Sequence, residues 1–360
     1  MTSSDETIPR IGTKSAEIKE QYKKFIGRKI LFIFSSIILI FIIAGIAATL
    51  GSFPISVTEV YSIIWHGLFQ NPETNKEIVV WNLRLPRILM AIVAGMGFAI
   101  AGTEMQGILR NPLASPFTLG IASGAGFGAA LAILVGAGIV AGKYLVIGNA
   151  FLFALVPTFV ILGLTHYKRA TPETMILAGI AMLYIFSAAT SLLMYFSKDE
   201  AVKEAYFWMV GDLVRASWST FFSVFIMLAC LIPVLMWKSW DINVMGAGDE
   251  TAKSLGVNVE RSRILILLIA SLMTAGIVCF TGTIGFIGLV APHMCRMVIG
   301  GDNRFLIPAS GLFGAALLLA ADTVARTIMA PIILPVGVIT AFMGGPLFLY
   351  LIMRRKSEYW

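Results

Sequence analysis

Charge is what this sequence has least of. Only 13% of its 360 residues are Asp, Glu, Lys or Arg, against about 25% in an ordinary soluble chain. With 58% apolar residues and a mean hydropathy of +0.87, there is too little polar surface to cover a globule in water. That excludes a soluble enzyme, a disordered chain and, despite a pI near 9.3, a nucleic-acid binder. Cysteine is scarce as well. Cys230, Cys279 and Cys295 stand in apolar stretches without Cys-x-x-Cys spacing, the setting of small buried hydrophobes rather than of a disulfide or a metal site. The three histidines, His66, His166 and His293, have no second ligand at metal-binding spacing, and no Ser/His/Asp or Cys/His grouping shares a level of the chain. A phosphate-cradling loop is missing too. Its nearest approach, 136–144, has Ala137 where the pattern Gly-x4-Gly-Lys-Ser/Thr requires its first glycine, and Tyr144 where it requires a short hydroxyl. The run Gly124-Ala125-Gly126-Phe127-Gly128 lies inside an apolar stretch, where small residues serve close helix packing better than a dinucleotide turn.

Long apolar runs are what the chain has instead. At about 20 residues per helical crossing, the sequence predicts an all-α polytopic membrane protein with ten transmembrane helices. The runs are 30–50, 88–109, 115–136, 144–165, 174–196, 216–237, 263–281, 286–299, 305–327 and 336–353. Residues 1–29 form a polar tail, 30–355 the ten-helix domain and 356–360 a second short tail. The tail lacks the early apolar core and small-residue cleavage site of a signal peptide, so the first run is expected to be retained. Ten crossings return both termini to one side. Lys and Arg counted by alternate loops number 19 on that side and 8 on the other, which by the positive-inside rule makes both termini cytoplasmic.

Two loops carry helical signals. On the outer side, Ser56-Val57-Thr58-Glu59 has the form of a capping box. Val60, Ile63, Ile64 and Leu68 follow at helical spacing, predicting a surface helix over about 56–69. On the inner side, residues 247–256 predict a short helix, with Asp249 and Glu250 at its dipole-favoured start and Gly256 as its stop. Inside the apolar runs only Glu104 and Asp322 are acidic. Asp322 lies four residues before Arg326, the spacing of an internal ion pair. Glu104 either bonds a neighbouring helix or, with Gln106 nearby, lines a polar pathway. A charge there must be paired, neutralised or wet.

Several stretches carry a resemblance. They are Arg84-Leu85-Pro86-Arg87; Met105-Gln106-Gly107 continuing to Arg110-Asn111-Pro112-Leu113-Ala114-Ser115-Pro116; Ala252-Lys253-Ser254-Leu255-Gly256; residues 282–293; residues 319–326; and residues 334–340. In this order, over nearly the whole chain from about residue 30, they resemble the permease family of ABC importers for iron–siderophore complexes, haem and cobalamin. The resemblance implies a homodimer or close heterodimer of ten-helix subunits with a central pathway. It also implies two cytoplasmic ATPase subunits, which bind the ATP and magnesium that this chain does not, and an extracytoplasmic binding protein. The chain itself is then a translocation subunit, not an enzyme, with no cofactor or metal of its own. Arg84, Arg87 and Arg326 match outer-rim positions that receive acidic groups of the binding protein. Gly248, Asp249, Glu250, Lys253, Ser254, Leu255 and Gly256 match the segment seated in the ATPase. Asn111, Leu113, Thr171, Pro172 and Glu173 match the cytoplasmic gate. Thr171-Pro172-Glu173 is in addition a good helix start, with a cap, a first-position proline and an acid. Glu104, where relatives usually carry an apolar residue, and the polar tail, which a solvated helix would explain, depart from the pattern. The rival expectation is an ion-coupled secondary transporter acting through Glu104 or Asp322 without any ATPase.

Overall fold

A computed structural model describes residues 11–353 apart from 52, 54, 169 and 170. The first ten residues of the polar tail, the tail 356–360, and Arg169, Arg354 and Arg355 lie outside the described residues. In chain order the helices are α1 (Ile11–Thr49), α2 (Val57–Gly67), α3 (Asn75–Ile78), α4 (Leu85–Ile108), α5 (Ile121–Ala130), α6 (Leu145–Lys168) and α7 (Pro172–Tyr195). They continue as α8 (Asp199–Val210), α9 (Trp218–Gly246), α10 (Asp249–Ser254), α11 (Val259–Thr281), α12 (Ile287–Ile299), α13 (Asn303–Thr327) and α14 (Val336–Met353). A π-helical stretch, Val79–Arg84, joins α3 to α4. Among the described residues seven helices are long and apolar enough to cross a membrane, and three shorter apolar ones, Ile121–Val135, Ile287–Ile299 and Val336–Tyr350, bring the total to ten.

The differences from the sequence reading have local causes. α1 begins at Ile11, so the described part of the polar tail continues the first crossing as helix instead of ending at residue 29. The third crossing starts at 121, not 115, because residues 111–120 fold as turns that close on Gly120 at φ +82°, a conformation that only glycine adopts at no steric cost. α8 has no counterpart in the sequence reading, in which 197–215 is a loop. Its acids Asp199 and Glu200 sit in the first turn, and Ala205 and Trp208, three apart, are its buried face. On α2 the capping box is present as read, with Ser56 and Glu59 each satisfying the other's backbone N–H.

α4 is the axis of the fold, packed by α9, α11, α12 and α13, while α1 lies against α13 and α7 against α5 and α6. In its crossing 78% of residues are buried, against 17% in α1 and in α7. The apolar outer faces of those two helices are left for lipid or for another chain. Two glycine pairs set how closely α4 is approached. A Cβ on Gly95 would collide with the Gly314 carbonyl of α13, and one on Gly102 with the Gly288 carbonyl of α12. In lipid, where apolar side chains gain nothing by leaving the solvent, such backbone contact is a main source of helix association. Gly102→Val should therefore part α4 from α12 and cost about 1–3 kcal/mol or more; a thermal melt of the detergent-solubilised protein should show a clear drop, and an unshifted midpoint would contradict the packing.

Candidate functional site

The polar side chains gather at the two ends of α4. At the outer end Asp322 of α13 is wholly buried between two arginines. Arg87 donates to both of its oxygens, with contacts of 2.8, 2.9 and 3.2 Å. Arg326, one turn away, stands 3.1 Å from Oδ2. The pair expected from i,i+4 spacing is thus present, and Arg87 joins it across helices. Arg84, placed by the π-helical stretch, donates to the carbonyls of Ala48 (2.7 Å), Thr49 (3.2 Å) and Phe53 (2.5 Å). Arg326 also reaches the Ala47 carbonyl at 3.3 Å. The last carbonyls of α1, which have no partner within their own helix, are met by cations that also complement the helix dipole. Three guanidinium groups and one carboxylate leave a surplus of positive charge here. All three arginines are only 5–7% exposed and face inward, so the surplus acts as a field beneath the outer rim rather than as free side chains upon it.

Beside this end, α2 is tied to the start of α3 by Lys76 Nζ and Glu59 Oε1 at 2.7 Å. Lys76, then the Ser56 backbone and hydroxyl, hold the Glu59 carboxyl down at about 2. Trp218 donates to the Trp81 carbonyl at 2.9 Å, the kind of aromatic anchor found at a membrane surface.

At the inner end the keystone is Arg263 of α11. Its Nε donates to the Ile108 carbonyl at the close of α4 (3.3 Å), and its Nη2 donates to both oxygens of Asp249, at 2.9 and 3.1 Å. Arg110, immediately after α4, adds a contact to Asp249 at 3.1 Å. α10 is therefore fastened at its first residue to the ends of α4 and α11. Its Ala252 is buried, while Glu250 and Lys253 pair at 2.7 Å on the surface and Leu255 is 66% exposed. Gly256 closes the helix as read, its N–H on the Lys253 carbonyl and that of Val257 on Ala252, both at 3.0 Å, the double closure of a Schellman motif. Gly248 precedes it at φ +111°.

The segments assigned to the gate meet this cluster. Asn111 Oδ1 accepts from the Leu113 N–H at 2.9 Å, folding the turn after α4, and Leu113 is half exposed. Thr171 caps α7 by accepting from the Thr174 N–H at 3.5 Å, with Pro172 in the first turn. Glu173 lies within the electrostatic reach of both Arg110 and Arg263. Further round, Asp302 joins Lys29 (3.4 Å), Asn243 (3.0 Å) and Arg304 (2.8 Å), tying α1, α9 and α13 together. Partial burial pushes its carboxyl up, but Arg304, Asn243 and Lys29 outweigh that and hold it well below the usual range.

Glu104 and Gln106 lie one turn above this cluster and are both fully enclosed within the chain. Gln106 donates to the Leu289 carbonyl of α12 at 3.3 Å. Neither oxygen of Glu104 has a hydrogen-bond partner, and in this conformation it opens on no surface. Among the described residues no group of three His, Cys, Asp or Glu side chains could hold a metal ion. The sequence reading did not single out Arg263 or Arg110 as site residues, counting Arg263 for topology and Arg110 for topology and as part of a motif. For Arg263 the available signal was an arginine at the very start of an apolar run, where burial requires a partner. Asp322→Asn should strand two buried guanidinium groups, at a cost of about 3–5 kcal/mol; recovery of folded, monodisperse protein at wild-type level would show that the network is not structural.

The arrangement can be set beside known proteins. Residues 37–354 match the FecCD transport family. A protein of Methanocaldococcus jannaschii described as an ABC transporter permease is 47% identical over 94% of this chain and 98% of its own. The hemin transport system permease of Yersinia pestis is 38% identical over 89% of this chain and 95% of its own. Other relatives are named as import permeases for cobalamin, Fe(3+)-citrate and molybdate. A solved ABC transporter of the metal-chelate type, in an inward-facing conformation, superposes with a TM-score of 0.79 at 30% identity, over 90% of this chain and 99% of that one.

Proposed function

The chain belongs to the FecCD transport family, permease subunits of ABC importers in the cytoplasmic membrane, and from that premise we propose that it carries an iron(III)–siderophore complex inward. In this reading it works as a dimer, with a second identical or closely related copy, between two cytoplasmic ATPases and an extracytoplasmic binding protein. ATP and magnesium are held by the ATPases. The observation that carries the reading is α10. A chain without a phosphate loop of its own presents to the cytoplasm a short helix with Leu255, Glu250 and Lys253 outermost, fastened at its root to α4 and α11. That is a lever to be worked by another protein. At the opposite end, the net positive charge of Arg84, Arg87, Arg326 and Asp322 favours an acidic partner, mainly by steering encounter and fixing register.

Hemin and Fe(3+)-citrate in the names of relatives support an iron chelate as cargo. A groove of about 310 Å³ between α5 and α7, lined by Ser123, Ser187, Thr190, Ser191 and Thr283 beside Met194 and Met209, has the character of a pathway wall. Its lining is mostly apolar with a scatter of hydroxyl groups, carries no charge, and is poor in groups that would grip a large chelate. An ion-coupled carrier has less support, because Asp322 is committed to two arginines and Glu104 is shut away from both surfaces.

The test is reconstitution of the chain with its ATPase and binding protein in proteoliposomes, offered a ferric hydroxamate, haemin or cyanocobalamin. The ferric hydroxamate should accumulate only with ATP and all subunits present. Accumulation of haemin or cobalamin alone would refute the cargo while keeping the permease, and uptake by the isolated chain on an ion gradient would refute both.

A further inference from the structure

The outer helix α2 has three sides, and only two of them are accounted for. At 3.6 residues per turn, Val60, Ile63 and Ile64 fall together and pack on the core. Glu59, Ser62 and His66 form a polar side, where Glu59 holds Lys76 at 2.7 Å and His66 Nδ1 lies 2.8 Å from the Ser62 carbonyl. The third side is Val57, Tyr61, Trp65 and the capping Leu68, gathered within an arc of about 80°. These four side chains are 55–65% exposed. Phe69 extends the stripe, its ring edge-on to Trp65 at 6.0 Å. A continuous apolar stripe on a well-capped helix marks a surface that something covers.

What covers it follows from where the stripe leads. Tyr61 lies against α1: a Cβ on Gly45 would stand 2.8 Å from its hydroxyl. There a groove of about 510 Å³ opens between the two helices, lined by Ile38, Phe41, Ile42 and Ile46 of α1 and by Val57 and Tyr61 of α2. Ile38 lies about 16 Å along α1 from its outer end at Thr49, at 1.5 Å per residue. That is a depth within the hydrocarbon, where a soluble partner cannot follow. A helix of another chain lying along α1 would have to clear Val57 and Tyr61 at the outer end. An acyl chain ends in its headgroup at that level. Tyr61 and Trp65 are also the side chains that favour the boundary between hydrocarbon and headgroups.

We propose that α2 is an in-plane anchor in the outer leaflet: Val57, Tyr61, Trp65 and Leu68 lie in the acyl boundary, Glu59, Ser62 and His66 face water, and a phospholipid chain occupies the groove against α1. Such a helix is held by its buried apolar area, with its polar side left in water. The anchor reaches the outer arginines through Trp81. Its Nε1 donates to the Ile63 carbonyl at 3.0 Å, and its indole takes the space that a side chain on Gly67 would fill. Trp81 belongs to the π-helical stretch that ends in Arg84, so the leaflet fixes the level at which the outer end of α4 is held. The inference needs only that the chain spans a membrane; it stands or falls apart from the cargo and the ATPase.

The full-length chain carrying Cys230→Ser, which leaves the buried Cys279 and Cys295, is reconstituted alone in phosphatidylethanolamine–phosphatidylglycerol vesicles. A nitroxide is attached in turn to Val57→Cys, Ser62→Cys, Trp65→Cys, His66→Cys and Leu68→Cys, and its collisions with oxygen and with a neutral nickel chelate are compared. Oxygen should dominate at 57, 65 and 68, and the chelate at 62 and 66. Dominance of the chelate at all five positions would put the stripe in water and overturn the anchor. Exclusion of both reagents at 57, 65 and 68 would overturn it too, by showing a second copy of the chain as the cover. The groove is read separately by native mass spectrometry, in which Ile42→Trp should lose a tightly held phospholipid that the parent retains. Equal lipid retention would overturn the seated chain. All six substituted side chains are exposed, so the variants are expected to fold.

Discussion

The structure depends on one constraint: in a chain with this little charge, set in lipid, a backbone or charged group that is to stay polar must find its partner inside the protein, and Glu104 is the buried carboxyl among the described residues that does not. Those partners are concentrated at the two ends of α4. At one end Arg87 brings α4 to Asp322 of α13, and at the other the Ile108 carbonyl accepts from Arg263 of α11. Between them, glycine contacts with α12 and α13 hold the same helix at backbone distance. α4 is thus pinned at both ends and gripped along its length, and the other crossings are arranged around it.

The two ends differ in kind. The outer network is closed: its charges are almost wholly buried and its arginines are spent on Asp322 and on the last carbonyls of α1. Its effect on the surroundings is a field. The inner network is graded, from the buried Arg263 to the half-open Arg110 and on to the exposed pair Glu250–Lys253. Buried contacts lie at the root of α10 and exposed ones at its tip. The division agrees with a transporter that receives cargo from one side and force from the other.

Much of this was legible in the residues. The crossings are legible because hydrophobic length is nearly all that a bilayer demands. Their orientation follows from the placement of arginine and lysine. The caps at Ser56 and Thr171 and the stop at Gly256 are fixed by local chemistry, the side chain satisfying backbone groups within three residues of itself. The i,i+4 pair of Asp322 and Arg326 was legible for the same reason. The break at Gly120 and the helix α8 were not, because each competes with a stronger signal nearby: an apolar run that continues through it in the first case, and a charged loop that masks a two-residue buried face in the second.

What the sequence determined by itself was therefore the class of protein, the number and direction of its crossings, and the elements whose stabilising contacts are near in the chain. What only the tertiary structure decided was who pairs with whom across long separations: Arg87 with Asp322 over 235 residues, Arg263 with Ile108 over 155, and Arg84 with Ala48 over 36. A buried arginine declares in the sequence that it needs a partner, since an unpaired buried charge is not tolerated. It does not declare which one, because that choice depends on which helix ends come to the same depth and face. Packing alone sets that.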